Sequence, residues 1–389
     1  MMKTAIAVAG AALIAAAGLA RADDLVLGFA MAKTGPYVSL ANTNEIAVDI
    51  AVDEINAKGG VGGRKIRLEK FDTGGDPKQA ALAVRQFAED NHALAVIGPF
   101  SSGEVRVSFP VGERLGIAQM SMSSSAPSLT KGFNFAFRNT RDERKVIDQV
   151  FAAIKDKGLP MATAASAYAT DDTVSKSVGV TVLPSLFEKY GITQKAAVDF
   201  QYNAFDLSPQ VSQLAQLNVD IIGLGAPPEA AVNLVKELKR QGVHGRVVAG
   251  TTVADPDLPE RMDGAGDGMT IGTTFFPDLN DRTRGFARAF AEHAAKAGIA
   301  RKVPNQQDAS AYDIVYLYAE AMTRGGVSGA ADKLADERIA IRDELGKLKD
   351  FAALEGAISF APDHDAIKPV YVIEAKGKQW TLFATRRDD

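Results

Sequence analysis

Apolar residues in this chain come in short blocks, separated by longer stretches in which they recur at helical spacing. Leu25-Val26-Leu27-Gly28-Phe29-Ala30 predicts a first strand. Val48, Ala51, Val52 and Ile55 then repeat as one helix face, and Gly59-Gly60 stops that helix. From Lys65 to Phe71 the pattern alternates, with Ile66 and Leu68 on one face. Asp76-Pro77 predicts an N-cap followed by proline at the first helical position, and Ala80, Val84 and Phe87 continue the stripe. Further strands are predicted over 93–97, 117–122 and 133–138. The alternation resumes with helices over 143–157, 173–190 and 229–241, and with one after Asp206. Strands over 162–168, 196–200, 219–224 and 246–251 lie among them. The last third carries helices over 286–297 and 311–323 and late strands over 358–360 and 370–373. Strand–helix alternation predicts parallel sheets covered on both faces, and two successive sets predict two α/β lobes.

The first residues follow a different rule. Lys3 precedes an apolar run from Thr4 to Ala20, which ends in Ala20-Arg21-Ala22 and then Asp23-Asp24. This is the pattern of a secretory signal peptide over 1–22, cleaved after Ala22. The expected location is the periplasm, without a lipid anchor, since the chain has no cysteine to carry one.

Composition narrows the chemistry. With 389 residues, 46% of them hydrophobic and 24% charged, the chain has a globular balance and the length of two domains. A net charge of -4 leaves no basic excess for a nucleic acid backbone. The absence of cysteine excludes disulfides, thiolate metal sites and thiol nucleophiles, and the four histidines are scattered. Gly59-Gly60-Val61-Gly62-Gly63-Arg64-Lys65 precedes a strand, and Ile66 stands where a phosphate loop needs Ser or Thr. After Gly223-Leu224-Gly225, Pro228 occupies the place of the third dinucleotide-loop glycine. His364, after Pro362, reads as a surface turn residue. No nucleophile, base and oxyanion donors assemble, so neither enzyme activity nor a cofactor is expected.

Ligand chemistry is expected at the carboxyl ends of strands. Two such ends are rich in hydroxyls: Gly98-Pro99-Phe100-Ser101-Ser102-Gly103 and Ser121-Met122-Ser123-Ser124-Ser125-Ala126-Pro127. Each is expected just before a helix, where free N–H groups and Ser hydroxyls would converge on a carboxylate. Simple helix capping by Ser is the alternative. In the second lobe, Tyr168-Ala169-Thr170-Asp171-Asp172-Thr173, Ala226-Pro227-Pro228-Glu229 and Thr251-Thr252 end three strands. Asp172 serves equally as an N-cap or as a ligand group.

These residues resemble a known family. Ile55-Asn56-Ala57-Lys58-Gly59-Gly60, Gly63-Arg64-Lys65 and Asp76-Pro77-Lys78-Gln79-Ala80 are similar to the leucine/isoleucine/valine-type periplasmic solute-binding proteins of ABC importers. So are Ile97-Gly98-Pro99 with Ser101-Ser102, Ser123 through Thr130, Asp206-Leu207-Ser208 and Ala311-Tyr312-Asp313-Ile314-Val315-Tyr316. The resemblance covers nearly all of the chain after residue 22. It implies a type I periplasmic-binding-protein fold: two Rossmann-like lobes, a hinge of three crossings and a ligand in the cleft. It divides the chain into an N-terminal lobe of 23–142 plus about 275–355 and a C-terminal lobe of 143–274 plus about 356–389. It also implies a monomer that delivers its solute to a membrane permease.

Residue by residue, the family's carboxylate-binding Ser falls on Ser102, and its second-loop pair on Ser123 and Ser125. Two pocket tyrosines fall on Thr173 and Ala226, and the acid that holds a ligand ammonium falls on Thr252. Cysteines of some members fall on Gly75 and Ser101. The expected ligand is therefore a small carboxylate without an α-amino group, an aromatic or aliphatic acid. Asp171, Asp172 or Glu229 would have to supply the counter-charge if it were an amino acid. Two alternatives share the fold: a true branched-chain amino acid receptor with a relocated counter-charge, and a sensor acting on a signalling partner.

Overall fold

The computed structural model describes residues 24–387, so the export-signal reading of residues 1–22 lies outside the described residues. Strands β1 (Leu25–Met31), β2 (Ile66–Asp72), β3 (Ala95–Ile97), β4 (Ala118–Ser121) and β5 (Ala136–Arg138) form one sheet. Its order is β2-β1-β3-β4-β5, all parallel. The chain then builds β6 (Thr163–Ala169), β7 (Thr193–Phe200), β8 (Ile221–Gly225), β9 (Arg246–Ala249) and β10 (Thr270–Thr273). Three short strands, β11 (Phe351–Ala353), β12 (Gly356–Phe360) and β13 (Ala366–Ile367), make a small antiparallel sheet. Finally β14 (Val370–Lys376) and β15 (Gln379–Arg386) join the second sheet, ordered β15-β14-β10-β9-β8-β6-β7. Both join it antiparallel, whereas β6 to β10 pair parallel.

Parallel strands are covered on both faces, which is why β3 and β8 are apolar and buried throughout. The helices between them begin where the sequence supplies caps. Asp76 accepts from Lys78 N (2.7 Å) and Gln79 N (2.9 Å), with Pro77 behind it. Among the described residues, no helix is long and apolar enough to cross a membrane.

Each lobe has its own core. Phe29, Ile97, Phe137 and Tyr318 belong to the first. Leu224, Val235 and Ile271 pack one face of the second sheet, and Phe151, Leu183 and Val248 pack the other. Ile358, Phe360 and Ala366 pack into the first core, while Val372 and Ile373 pack into the second lobe. The third passage between lobes therefore falls near 367–370, not at the 355/356 boundary read from the sequence. The physical reason is that β11 to β13 form their own antiparallel sheet under Phe137, whose ring lies 5.4 Å from Phe360. His364 stacks on the same ring at 4.1 Å and is half-buried, so it is a packing residue rather than an exposed turn residue.

The three passages meet on one carboxylate. Glu355 is fully buried. It accepts from Asn139 Nδ2 (3.3 Å) of the first passage, Thr274 Oγ1 of the second and Lys368 Nζ of the third. Lys368 also donates to the Asn139 carbonyl, and Arg141 Nη1 donates to the Lys368 carbonyl (3.0 Å). Asp313 fixes the turn that carries Glu355 by accepting from Leu354 N (2.7 Å) and Glu355 N (3.0 Å).

Lys368→Met would remove the cation and keep most of the bulk. Glu355 then becomes a buried acid without a counter-charge, and the variant should lose about 3–5 kcal/mol at about pH 8. Burial holds the Glu355 carboxyl above its usual range. A raised acid favours the folded state when protonated, and that contribution is lost as pH rises through the folded pKa. The deficit of the variant should therefore shrink by about pH 5. Denaturant titration at both pH values measures this, and equal losses would mean that packing, not charge, sets the cost.

Candidate functional site

In each sheet the chain order reverses once among the parallel strands, between β1 and β3 in the first and between β6 and β8 in the second, and the loops flanking that reversal are where α/β sheets take ligands. In the first lobe they follow β1 and β3 and carry Pro36 to Leu40 and Phe100 to Ser102. In the second they follow β6 and β8 and carry Asp172 to Val174 and Pro227-Pro228. The two sets face each other across one cavity, closed further by Ser123 and Ser125 after β4, Thr251 and Thr252 after β9, and Gln307. The space between the lobes is about 40 Å³, room for a few water molecules. A larger solute can be loaded only if the lobes part.

The first serine loop is built by a tight turn and a helix cap. Gly98 has φ 95°, and a Cβ there would stand 2.4 Å from the Ala30 carbonyl, so only glycine fits. Ser101 caps the helix Ser102–Leu115, accepting from Glu104 N at 3.2 Å, while the Glu104 carboxyl accepts from Ser101 N at 2.7 Å. Burial raises the Glu104 pKa, and Thr73 donates to it from behind. The N–H groups of Ser102 and Gly103 then have no intrahelical partner and the helix end carries positive potential. Ser102 is buried, lines the cavity and accepts from Ala126 N (3.2 Å), which ties the two serine loops together.

The second serine loop does not run into a helix, contrary to expectation. It passes through turns to β5, with Ser128 at φ 62° and Gly132 at φ 86°, and a helix begins only at Glu143. Its shape comes from two other sources. Ser121 Oγ accepts from Ser124 N (3.1 Å), and buried Arg138 donates from Nη1 to the Ser124 (3.0 Å) and Ala126 carbonyls. Asp365 balances Arg138 through Nε and Nη2, the latter at 2.7 Å, and Asp142 adds a longer contact of 3.3 Å. Arg138 holds the Asp365 carboxyl below its usual range despite burial. Ser125 O then accepts from Glu143 N (2.8 Å) at the start of the first passage.

Of the residues selected from the sequence, Ser101, Ser102, Ser123, Ser125, Asp172 and Thr252 line the cavity. Thr173 and Ala226 do not. Thr173 is the first residue of its helix, and its hydroxyl lies beside Gly103, 3.5 Å from where a Cβ would stand. Ala226 is buried in the second core. Their neighbours Val174, Pro227 and Pro228 form the wall instead. Asp171 accepts from Tyr202 N (2.9 Å), and Glu229 lies 3.6 Å from Arg261, so neither reaches the cavity.

Asp172 is tied on both sides. Its Oδ2 accepts from Ser175 N (2.9 Å) and Ser175 Oγ (2.6 Å) as a helix cap, and its Oδ1 accepts from Tyr37 OH (3.1 Å) across the cleft. Burial, then the neighbouring Asp172 charge, holds the Tyr37 phenol un-ionised. Tyr37 packs 5.7 Å from Phe100 to make the aromatic wall. Three buried polar atoms around the cavity have no protein partner: Ser39 Oγ, Thr252 Oγ1 and Gln307 Oε1. Behind Thr251, fully buried Glu143 accepts from Thr251 Oγ1 (2.5 Å), and burial raises its pKa.

Tyr37 and Gln307 were not selected from the sequence. The strand-end rule applied to β1 would have found Tyr37. Gln307 follows the Asn305 cap of a helix far along the chain, and no local signal marks it.

The sequence pattern of the family described as periplasmic binding protein matches residues 25–379. Leu/Ile/Val-binding protein homolog 1 of Brucella abortus is 29% identical over 283 residues, covering 70% of this chain and 72% of its own. Leu/Ile/Val-binding protein BraC3 of Rhizobium johnstonii is 26% identical over 368 residues, covering 91% and 92%. Among solved structures, the leucine-binding protein LivK of Thermotoga maritima superposes with a TM-score of 0.81 at 22% identity, over 94% of this chain and 99% of its own. A solute-binding protein of an ABC transporter from R. palustris, solved in complex with benzoate, gives 0.78 at 17% identity, over 94% and 98%. These structures share the type I periplasmic-binding-protein fold. With the match running from β1 to the start of β15, the chain belongs to the periplasmic binding protein family.

Proposed function

We propose that this protein is the periplasmic solute receptor of an ABC importer of the branched-chain-amino-acid type. It binds a small carboxylate between its lobes and hands it to a membrane permease. The observation that carries this reading is the convergence on one inter-lobe cavity of the helix end at Ser102 and the buried hydroxyls of Ser102 and Ser125. N–H groups and hydroxyls donate to a carboxylate without needing a counter-ion. The receptor acts as a monomer without a cofactor or catalysis, and it is exported through a cleaved signal peptide.

The ligand we favour carries no α-amino group. An ammonium buried without an acid costs about 3–5 kcal/mol, against about 8 kcal/mol for all of micromolar binding. Thr252 stands where the family's acid would be. Asp172 is already matched by Ser175 and Tyr37 and does not require a ligand cation. Solved proteins of this fold hold ligands of both classes, benzoate in the R. palustris protein and isoleucine in a branched-chain amino acid transporter substrate binding protein of Streptococcus pneumoniae. A second reading, an amino acid with Asp172 as the relocated counter-charge, is favoured by the position of that carboxylate in the cavity wall.

Two measurements test these proposals. Ser102→Ala should weaken binding of the acid that stabilises the protein most in a thermal-shift screen by about ten-fold or more, since a charge-assisted hydrogen bond contributes about 1.5–3 kcal/mol. Ser101→Ala should instead lower stability by about 1 kcal/mol through the lost cap. Unchanged affinity in folded Ser102→Ala would remove that residue from the site. Calorimetry with leucine and with its deaminated keto acid separates the two ligand classes. The keto acid should bind and leucine should not; micromolar leucine binding that disappears in Asp172→Asn would establish the amino-acid reading.

A further inference from the structure

Gln307 is 1% exposed and lines the ligand cavity, yet its Oε1 has no hydrogen-bond partner among the described residues. Its neighbours on the same helix start are all matched. Asn305 Oδ1 accepts from Asp308 N (2.8 Å), and Gln306 Oε1 accepts from Thr273 Oγ1 (3.0 Å) and Thr274 N (2.9 Å). Asp308 accepts from Thr43 Oγ1 and Asn44 Nδ2, both at 2.8 Å, and from Arg301 Nη1 at 2.7 Å. The same contrast recurs in the second lobe, where Thr251 Oγ1 donates to Glu143 while the buried Thr252 Oγ1 has no partner. Ser39 Oγ is likewise buried and unmatched. The carbonyl of the next residue, Leu40, accepts from Asn305 Nδ2 (2.9 Å), which seats Ser39 beside the start of the Gln307 helix. A buried polar atom left unmatched is costly, so each one calls for a partner.

All three atoms lie outside the two serine loops. Gln307 Oε1 only accepts, whereas the hydroxyls of Thr252 and Ser39 both donate and accept. A group that answers them must donate to the amide oxygen and accept from a hydroxyl. A ligand hydroxyl does both without charge. A second carboxylate does not fit: ionised, it cannot donate to Gln307, and among the described residues the cavity wall holds no Lys, Arg or His. A hydrocarbon end would leave Gln307 Oε1 unmatched.

We infer that the solute is a hydroxy acid: a hydroxyl on its body donates to Gln307 Oε1 and accepts from Thr252 or Ser39, while its carboxylate meets the serine loops. Gln307 is then the residue that separates hydroxylated from plain acids. A site built to pair with a ligand hydroxyl rejects the analogue lacking it far more strongly than an apolar pocket rejects an added one. This inference rests on the reading that the cavity takes a small carboxylate.

Calorimetry on the wild-type protein tests it, comparing benzoate with its ortho, meta and para hydroxy acids, hexanoate with its α- and ω-hydroxy acids, and leucine with its α-hydroxy analogue. The best hydroxy acid should bind about ten- to hundred-fold tighter than the plain acid of its set. Gln307→Met keeps the length of the side chain and removes the amide. It should cut that preference to about two-fold or less by weakening the hydroxy acid and not the plain one. Thr252→Val should cut it in part. Ser102→Ala should instead weaken both acids by the same factor and leave the preference in place. Plain acids that bind as tightly as every hydroxy acid of their set would overturn the inference and leave the carboxylate reading intact. A preference undiminished in folded Gln307→Met would do the same. Leucine binding more tightly than its α-hydroxy analogue would assign the three acceptors to an ammonium and also overturn it. Failure of every one of these acids to bind would remove both the inference and the reading on which it rests.

Discussion

One buried carboxylate ties together the three passages that join the two lobes. Glu355 receives a hydrogen bond from each of the three passages between lobes, and Lys368 supplies its charge partner. Neither side chain touches water. A buried ion pair of this kind is weak evidence for stability, since apolar replacement of both partners is often neutral or better. Its value lies in geometry. The three strands of the hinge are held at one point, while the two lobes keep separate cores on either side. Rotation of the lobes about that point would leave both cores undisturbed.

The proposed site uses ordinary local devices at positions where the topology brings them together. A capping box orders the first serine loop and leaves the next N–H groups without intrahelical partners beside the buried Ser102. Arg138 orders the second loop by donating to its carbonyls, and Asp365, next to the third passage, balances it. The second serine loop is therefore anchored beside the third passage. In the second lobe, Asp172 caps its own helix and receives Tyr37 from the first lobe. This contact forms only when the lobes are together, so one side chain starts a helix and joins the two walls.

Much of this was legible in the sequence because the signals are local. Apolar spacing located the central strands, and Asp76-Pro77 marked a helix start where one occurs. The serine clusters stood out because ligands in such sheets meet strand ends. What was not legible depends on contacts between distant residues. The second serine loop lacks the helix expected after it because Arg138 replaces a helix end as its organiser. Transferring pocket positions by alignment placed the second-lobe wall on Thr173 and Ala226, one residue before Val174 and Pro227, which form it. The third passage lies beyond β13 because the small antiparallel sheet packs under Phe137, a contact that spacing alone does not reveal. The helix Leu334–Gly346 gives no clean stripe because Glu337 and Arg338 are buried on it while Ile339 is exposed.

The central claim is that the solute sits between the lobes with its carboxylate on the two serine loops. A crystal structure of the protein with the acid that stabilises it most addresses this directly. The carboxylate should lie within hydrogen-bond distance of the Ser102 and Ser125 hydroxyls, with Tyr37 and Phe100 against the body of the ligand. A ligand bound outside this cavity, or inside it with its carboxylate turned away from both serines, would contradict the account.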